Sequence, residues 1–222
     1  MSAAERLSFL PTFFVEAVTT GILLLETMQD GKMLVEVELK FPVADMEQIV
    51  QQIAGLSPEP EVWREERDLY FGHPVRDFSQ TDEALRLRRT GIHNFVTYKG
   101  PKIDSVSKSR YELDLPLPEG EDVFIHWCEL LERLGFRPVA EVVKRRRKTW
   151  LLWEGWRVEI SLDEVENVGQ YVEFEIVCEP DQVPRARDAL FRLAKSFHLT
   201  NSERRSYLEL LLARKRAAGT VS

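Results

Sequence analysis

The sequence predicts an α+β fold, an eight-stranded antiparallel closed β-barrel with helices packed outside. Nearly every stretch with strand periodicity carries charge on one side and apolar residues on the other. The order strand, helix, three strands appears twice, and two further helices follow it. Eight strands alone suit an open sheet, a sandwich or a barrel, and the parity of the charges decides among them. In a barrel covered by helices, the charged faces converge on the lumen and the apolar faces pack beneath the helices. The product is a tunnel lined with both signs of charge.

The first strand spans 33–42: Glu36, Glu38 and Lys40 share one face, and Val35, Val37, Leu39 and Phe41 the other. At a rise of about 3.3 Å per residue the two glutamates lie about 6 to 7 Å apart, close enough to share one hard cation or two neighbouring ones. Taken alone, this pattern also suits the solvated edge of an antiparallel sheet; repetition along the chain is what gives it meaning. A helix is expected over 43–56, with Met46, Ile49, Val50 and Ile53 at helical spacing and Gly55, Pro58 and Pro60 ending it. A polar connector leads to strands at 68–72, 84–90 and 93–99, the last two joined by a turn at Gly91. The second half repeats the order: a strand at 108–115, a helix at 121–135 with Phe124, Trp127, Leu130, Leu131 and Leu134 on its apolar side, and strands at 139–152, 156–162 and 170–178. Helices at 181–198 and 203–216 complete the chain.

The polar parity recurs strand after strand. Arg86 and Arg88 share a face, as do Lys144, Arg146 and Lys148; Arg157, Glu159, Ser161 and Asp163; and Glu173 and Glu175. Carboxylates from opposite walls suit magnesium or manganese, which take oxygen ligands, while arginines and lysines neutralise a run of phosphates. A nucleoside or inorganic triphosphate matches that lining.

Composition narrows the partners. The chain has 222 residues, enough for one generous core or two small ones. Its net charge of -7 argues against nonspecific nucleic-acid binding, which needs excess cations. Basic clusters at 86–89 and 144–148 within an acidic chain point to a small polyanion instead. Cys128 and Cys178 are the only cysteines and fit neither a disulfide framework nor a thiolate zinc site, so a cytoplasmic setting is expected. Residues 8–27 are apolar, but Pro11, Glu16 and Glu26 fit neither a spanning helix nor a signal peptide. No membrane attachment is expected. Residues 1–32 read as an extension, either a short helix or the result of a start placed upstream of Met28 or Met33.

The motifs Glu36-x-Glu38-x-Lys40, Asp68-Leu69-Tyr70-Phe71, His73-Pro74-Val75-Arg76-Asp77-Phe78, Thr81-Asp82-Glu83-Ala84-Leu85-Arg86-Leu87-Arg88, Thr97-Tyr98-Lys99-Gly100, Lys144-x-Arg146 and Leu162-Asp163-Glu164-Val165 occur in that order. Together they resemble the CYTH family of triphosphate tunnel metalloenzymes, and the third and fourth are most similar to its class IV adenylyl cyclase-like branch. The resemblance covers 33–212, giving a tunnel domain over 33–216 and a tail at 217–222. It implies Mg2+ or Mn2+ as cofactor, with Glu36, Glu38, Glu173, Glu175 and Asp163 at the metal. It implies phosphate contacts from Lys40, Arg86, Arg88, Lys99, Arg110, Lys144 and Arg146, with Arg205 closing over the phosphates. Tyr70 and Lys99 are similar in position to a pair proposed to activate water in the thiamine triphosphatase branch.

The implied reaction is cyclisation of ATP to cyclic AMP and pyrophosphate. Hydrolysis of an inorganic or organic triphosphate is the alternative, because the chain keeps both Glu173 and Glu175 where some cyclases keep only the first acid. A non-catalytic nucleotide or polyphosphate binding module is a third reading, against which the retained acid pairs argue. The expected partner is ATP or another triphosphate, with no nucleic acid and no membrane; a homodimer is left open. Candidates for a base and ribose pocket are Tyr98, Phe95 and His93.

Overall fold

The computed structural model describes residues 28–29, 32–102 and 110–219. The expected extension at 1–32 therefore lies almost wholly outside the described residues, as does the predicted strand start at Lys108. Two short strands, β1 (Met28–Gln29) and β2 (Lys32–Met33), pair antiparallel ahead of the barrel.

The barrel contains β3 (Val35–Pro42), β4 (Val62–Gly72), β5 (Ala84–Thr90), β6 (His93–Lys102), β7 (Arg110–Leu117), β8 (Arg137–Trp153), β9 (Trp156–Val165) and β10 (Gly169–Cys178). They close in the order β10-β3-β7-β6-β5-β4-β8-β9, with every neighbouring pair antiparallel. The helices are α1 (Met46–Ala54), the short α2 (Phe78–Thr81), α3 (Glu121–Arg133), α4 (Val183–Ser196) and α5 (Tyr207–Ala217). Strand, helix, three strands thus occurs twice, β3-α1-β4-β5-β6 and β7-α3-β8-β9-β10, with α2 inserted in the first. Exchanging the halves maps the strand ring onto itself, so β3 and β7 lie side by side.

Apolar parity on the strands builds the outer core. Val37, Leu39 and Phe41 of β3, Val158 and Ile160 of β9, and Val172, Phe174 and Ile176 of β10 pack beneath Ile49 and Ile53 of α1 and Leu190 and Leu193 of α4. Burying such side chains contributes about 1.5 to 3 kcal/mol each. Phe71 and Leu87 form a smaller cluster with Leu131 of α3. A third cluster joins Tyr70, Val142 and Tyr171 to Tyr207, Leu210 and Leu211 of α5. Among the described residues no helix is long and apolar enough to cross a membrane.

The boundaries differ from the sequence expectations for identifiable reasons. Helix α1 starts at Met46 because the Asp45 side chain caps it, accepting from the Gln48 amide at 3.1 Å. The last helix starts at Tyr207, where Ser206 and Glu209 form a capping box. Its lead-in instead runs along β3, the Glu203 amide donating to the Lys40 carbonyl at 2.7 Å. The largest difference is β4, which begins at Val62 within the expected connector. There the outer face carries exposed Trp63, Glu65 and Arg67 while Arg64 and Glu66 face inward, so no apolar alternation marks the strand.

Candidate functional site

The lumen has two chemically distinct walls. The cationic wall comes from β4, β5 and β8. Register places Asp68 opposite Arg88, Tyr70 opposite Arg86, Glu66 opposite Lys144 and Arg64 opposite Arg146. Asp68, 1 % exposed, binds three cations at once. Its Oδ1 accepts from Arg88 Nε at 2.6 Å, and its Oδ2 accepts from Arg88 Nη2 at 2.7 Å, Arg86 Nη1 at 3.1 Å and Lys144 Nζ at 3.1 Å. Glu66 adds ion pairs to Lys144 at 2.8 Å and Arg88 at 3.0 Å. Burial alone would raise both carboxyls, but the surrounding cations outweigh it and hold them well below the usual carboxylate range. Further round, Arg146 bridges Asp163 and Glu173. Burial disfavours the Arg146 charge, yet Asp163 and Glu173 hold its pKa well above the ordinary value. These cations are fixed in place by acids the barrel itself supplies.

The opposite wall, from β3, β7, β9 and β10, is short of cations. Glu175 sits opposite Glu38 on one side and Glu159 on the other, with Glu36 next along β3. The protein surrounds Glu36, and burial, then Glu112, pushes its pKa up to about 8 against the pull of Lys99. Burial followed by Glu36 and Glu159 holds Glu175 well above the usual range. Glu36 and Glu175 also hydrogen-bond to each other, and burial together with their mutual repulsion favours the protonated form of the pair. Four cations partly offset this wall: Lys40 and Arg110 on its own strands, and from the flanking strands Lys99 paired with Glu112 and Lys148 with Glu159. Among the described residues no three acidic, histidine or cysteine side chains already converge at ligand distance.

The start of α5 reaches into the barrel. The Tyr207 hydroxyl donates to Asp163 Oδ2 at 2.7 Å, and its ring lies 4.0 Å from Lys40 Nζ. Burial, then Asp163, raises the Tyr207 pKa well above the ordinary value, which keeps the phenol a donor. Lys40 Nζ also donates to the Arg205 carbonyl at 2.5 Å. One cavity of about 640 Å³ joins both walls. It runs from Glu36, Glu175 and Lys148 to a mouth made by the loop after β4 and the first turns of α5.

Most of the residues singled out from sequence meet in this cavity: Glu36, Glu38, Glu173 and Glu175 with Lys40, Tyr70, Arg86, Arg88, Lys99, Arg110, Lys144 and Arg146. Three expectations need correction. Asp163 does not stand open to a metal, since Arg146 and Tyr207 take both its oxygens. The Arg205 guanidinium does not reach the cavity; it is exposed and paired with Glu203, because the residue precedes the α5 cap and points outward. Tyr98, Phe95 and His93 do not line the cavity, and the Tyr98 hydroxyl donates to Glu83 at 2.6 Å. Sequence reasoning gave no site role to Glu66, Asp68, Glu112, Glu159 or Tyr207, although Asp68 stands in a quoted motif and Glu159 on a charged strand face. For Glu112 and Glu159 the signal was present, since each shares a strand face with a charged neighbour already singled out.

A sequence model described as the CYTH domain matches residues 34–207. The "Putative adenylate cyclase MJ0240" of Methanocaldococcus jannaschii is 32 % identical over 180 residues, covering 80 % of this chain and 98 % of its own. The "Adenylate cyclase CyaB" of Aeromonas hydrophila is 25 % identical over 182 residues, covering 79 % and 87 %. Among solved structures, the PH1819 protein of Pyrococcus horikoshii is 42 % identical with a TM-score of 0.70, covering 81 % of this chain and 99 % of that one.

Proposed function

The chain belongs to the CYTH family, in its class IV adenylyl cyclase-like branch, and we propose that its tunnel is a divalent-metal-dependent active site that converts ATP to cyclic AMP and pyrophosphate. The observation that carries this reading is the pair of walls facing one cavity: fixed cations on one, clustered carboxylates on the other. Glu36, Glu38 and Glu175, with Glu159 and Glu173 beside them, would hold magnesium or manganese, and their all-oxygen donor set fits such an ion. Bound there, the ion supplies charge neutralisation and Lewis-acid polarisation at phosphate oxygens.

The protein's own residues bind and orient the substrate. Arg86, Arg88, Lys144 and Arg146 grip the phosphate chain from geometries that Asp68, Glu66 and Asp163 fix beforehand, so little reorganisation accompanies reaction. Lys40 and Arg110 extend the grip from β3 and β7. Glu112 and Glu36 outweigh burial and keep the Lys99 ammonium protonated, so Lys99 donates hydrogen bonds to developing phosphate charge. Tyr70, close to Arg86, presents its hydroxyl to the same region. With the ribose 3'-hydroxyl turned toward the α-phosphorus, attack forms the cyclic ester as the bond to pyrophosphate breaks, the electron pair leaving with pyrophosphate and the hydroxyl proton passing to water.

Hydrolysis to orthophosphate is the second reading, favoured by one observation: both last-strand acids, Glu173 and Glu175, face the lumen. The test is product analysis with ATP and with tripolyphosphate in magnesium or manganese. Cyclic AMP with an equal amount of pyrophosphate supports the cyclase. Orthophosphate without cyclic AMP overturns it in favour of the triphosphatase, and tight binding without turnover would make the protein a sensor.

A further inference from the structure

The two repeats of the barrel are covered unequally. Helix α4 lies across the junction where β10, the last strand of the second repeat, meets β3, the first strand of the first. The cross-strand pairs there, Phe41 with Val172, Leu39 with Phe174 and Val37 with Ile176, are none of them more than 1 % exposed. The equivalent junction sets β6, the last strand of the first repeat, against β7, the first strand of the second. Its outward pairs are apolar too, Val96 with Leu115 and Tyr98 with Leu113. Helix α3 reaches only Val96 and Leu117 of this face, while α1, α4 and α5 pack into the other two clusters. Tyr98, Leu113 and Leu115 join none of the three; Tyr98 and Leu113 are half-buried and Leu115 is 46 % exposed. The second junction has the apolar surface of the first without its helix.

The chain carries a segment that suits this face. β3 meets β7 antiparallel through Glu36 and Arg110, so the residues ahead of β3 run beside β7 towards Leu113 and Leu115, and the chain before the β1 and β2 pair emerges next to the junction. Residues 8–27, outside the described residues, are the apolar stretch noted in the sequence. Leu10, Phe14, Ala17, Val18, Leu24 and Leu25 recur at helical spacing, with Thr12, Glu16, Thr19 and Glu26 on the opposite side. As a helix the stretch would be about 30 Å long, against about 27 Å for β7. An apolar stripe of that length matches the uncovered strands, and the polar side would face water.

We propose that residues 8–27 dock as an amphipathic helix on the outer face of β6 and β7, in the place that α4 takes on β10 and β3. The inner faces of the same two strands bring Lys99, Arg110 and Glu112 to the cavity, so the segment braces that part of the wall from behind. The inference is independent of the reaction carried out in the tunnel.

The test uses the full chain with photoreactive benzoylphenylalanine in place of Leu115, irradiated and digested for peptide mass spectrometry. The expected product is a cross-link within one chain to a peptide from 8–27, its yield unchanged on dilution. A cross-link to a second copy, to another part of the same chain, or to nothing but solvent overturns the assignment. Melting midpoints of Leu115→Asp, Val18→Asp and the double variant give a second readout. Each single change is expected to lower the midpoint by about 4 °C and the double change by little more, because both break one contact. Additive losses, or no loss in Val18→Asp, overturn the docking. Both readouts are taken without substrate, so their failure leaves the triphosphate reading standing.

Discussion

The two walls of the lumen resolve the same difficulty, charge inside a barrel, in opposite ways. On the cationic wall Arg86, Arg88, Lys144 and Arg146 each meet a buried acid of the chain, and the cations hold Asp68 and Glu66 well below the usual carboxylate range. On the carboxylate wall the acids outnumber their cations, and burial and mutual repulsion push the Glu36 and Glu175 carboxyls up. One wall is complete without a ligand, and the other is not. The cationic groups are therefore preorganised, whereas the clustered carboxylates repel one another and would be relieved by a proton or a cation.

Removing a partner from the complete wall should have the largest effect on stability. Asp68→Ala leaves three cations without their shared acid and is expected to cost about 3 to 5 kcal/mol, read as a lower denaturation midpoint. Tripolyphosphate should restore part of that loss by taking the vacated place. On the incomplete wall the neutral variant Glu36→Gln should leave folding nearly unchanged, because Glu36 already carries a proton near neutrality. Its affinity for Mn2+ should nevertheless fall about 100-fold, about 2.7 kcal/mol.

The same wall sets a pH dependence. With the Glu36 pKa raised to about 8 from 4.5, the folded protein binds more protons than the unfolded chain between those values. Metal-free stability is therefore expected to fall as pH rises through that window. Metal binding should release protons and tighten with pH up to about 8, as calorimetry in buffers of different ionisation enthalpy can show. A smaller effect is expected for Tyr207→Phe, which removes one hydrogen bond to Asp163 at a cost of about 1.5 kcal/mol. It should also raise KM for ATP by loosening the start of α5 over Lys40. Arg205→Ala, outside the cavity, should change neither turnover nor melting.

The contrast between the walls also explains what could be read from the sequence. Strand β3 was legible because a charged lumen face alternates with an apolar outer face, and the same holds for β10 and most of β8. The lower half of β4 was not legible, since its outer side is not covered by a helix and carries charges of its own; Glu66 was missed for that reason. Sequence parity placed acids and bases in the lumen but not which of them neutralise one another. Asp163 therefore passed for a metal group although Arg146 and Tyr207 claim it. The mouth carries no periodic signal, because Val75 and Phe78 lie on a loop and a four-residue helix whose shape depends on His73 and Pro74 packing against the start of β8 and Gly135.

The division of labour between the walls is tested most directly by counting Mn2+ bound at neutral pH, from the loss of the free-ion electron paramagnetic resonance signal, in wild type and in Glu36→Gln. Wild type should take up the ion stoichiometrically and Glu36→Gln should not, while both bind tripolyphosphate in metal-free buffer. Equal Mn2+ uptake by the two proteins would contradict the assignment of the metal to the carboxylate wall.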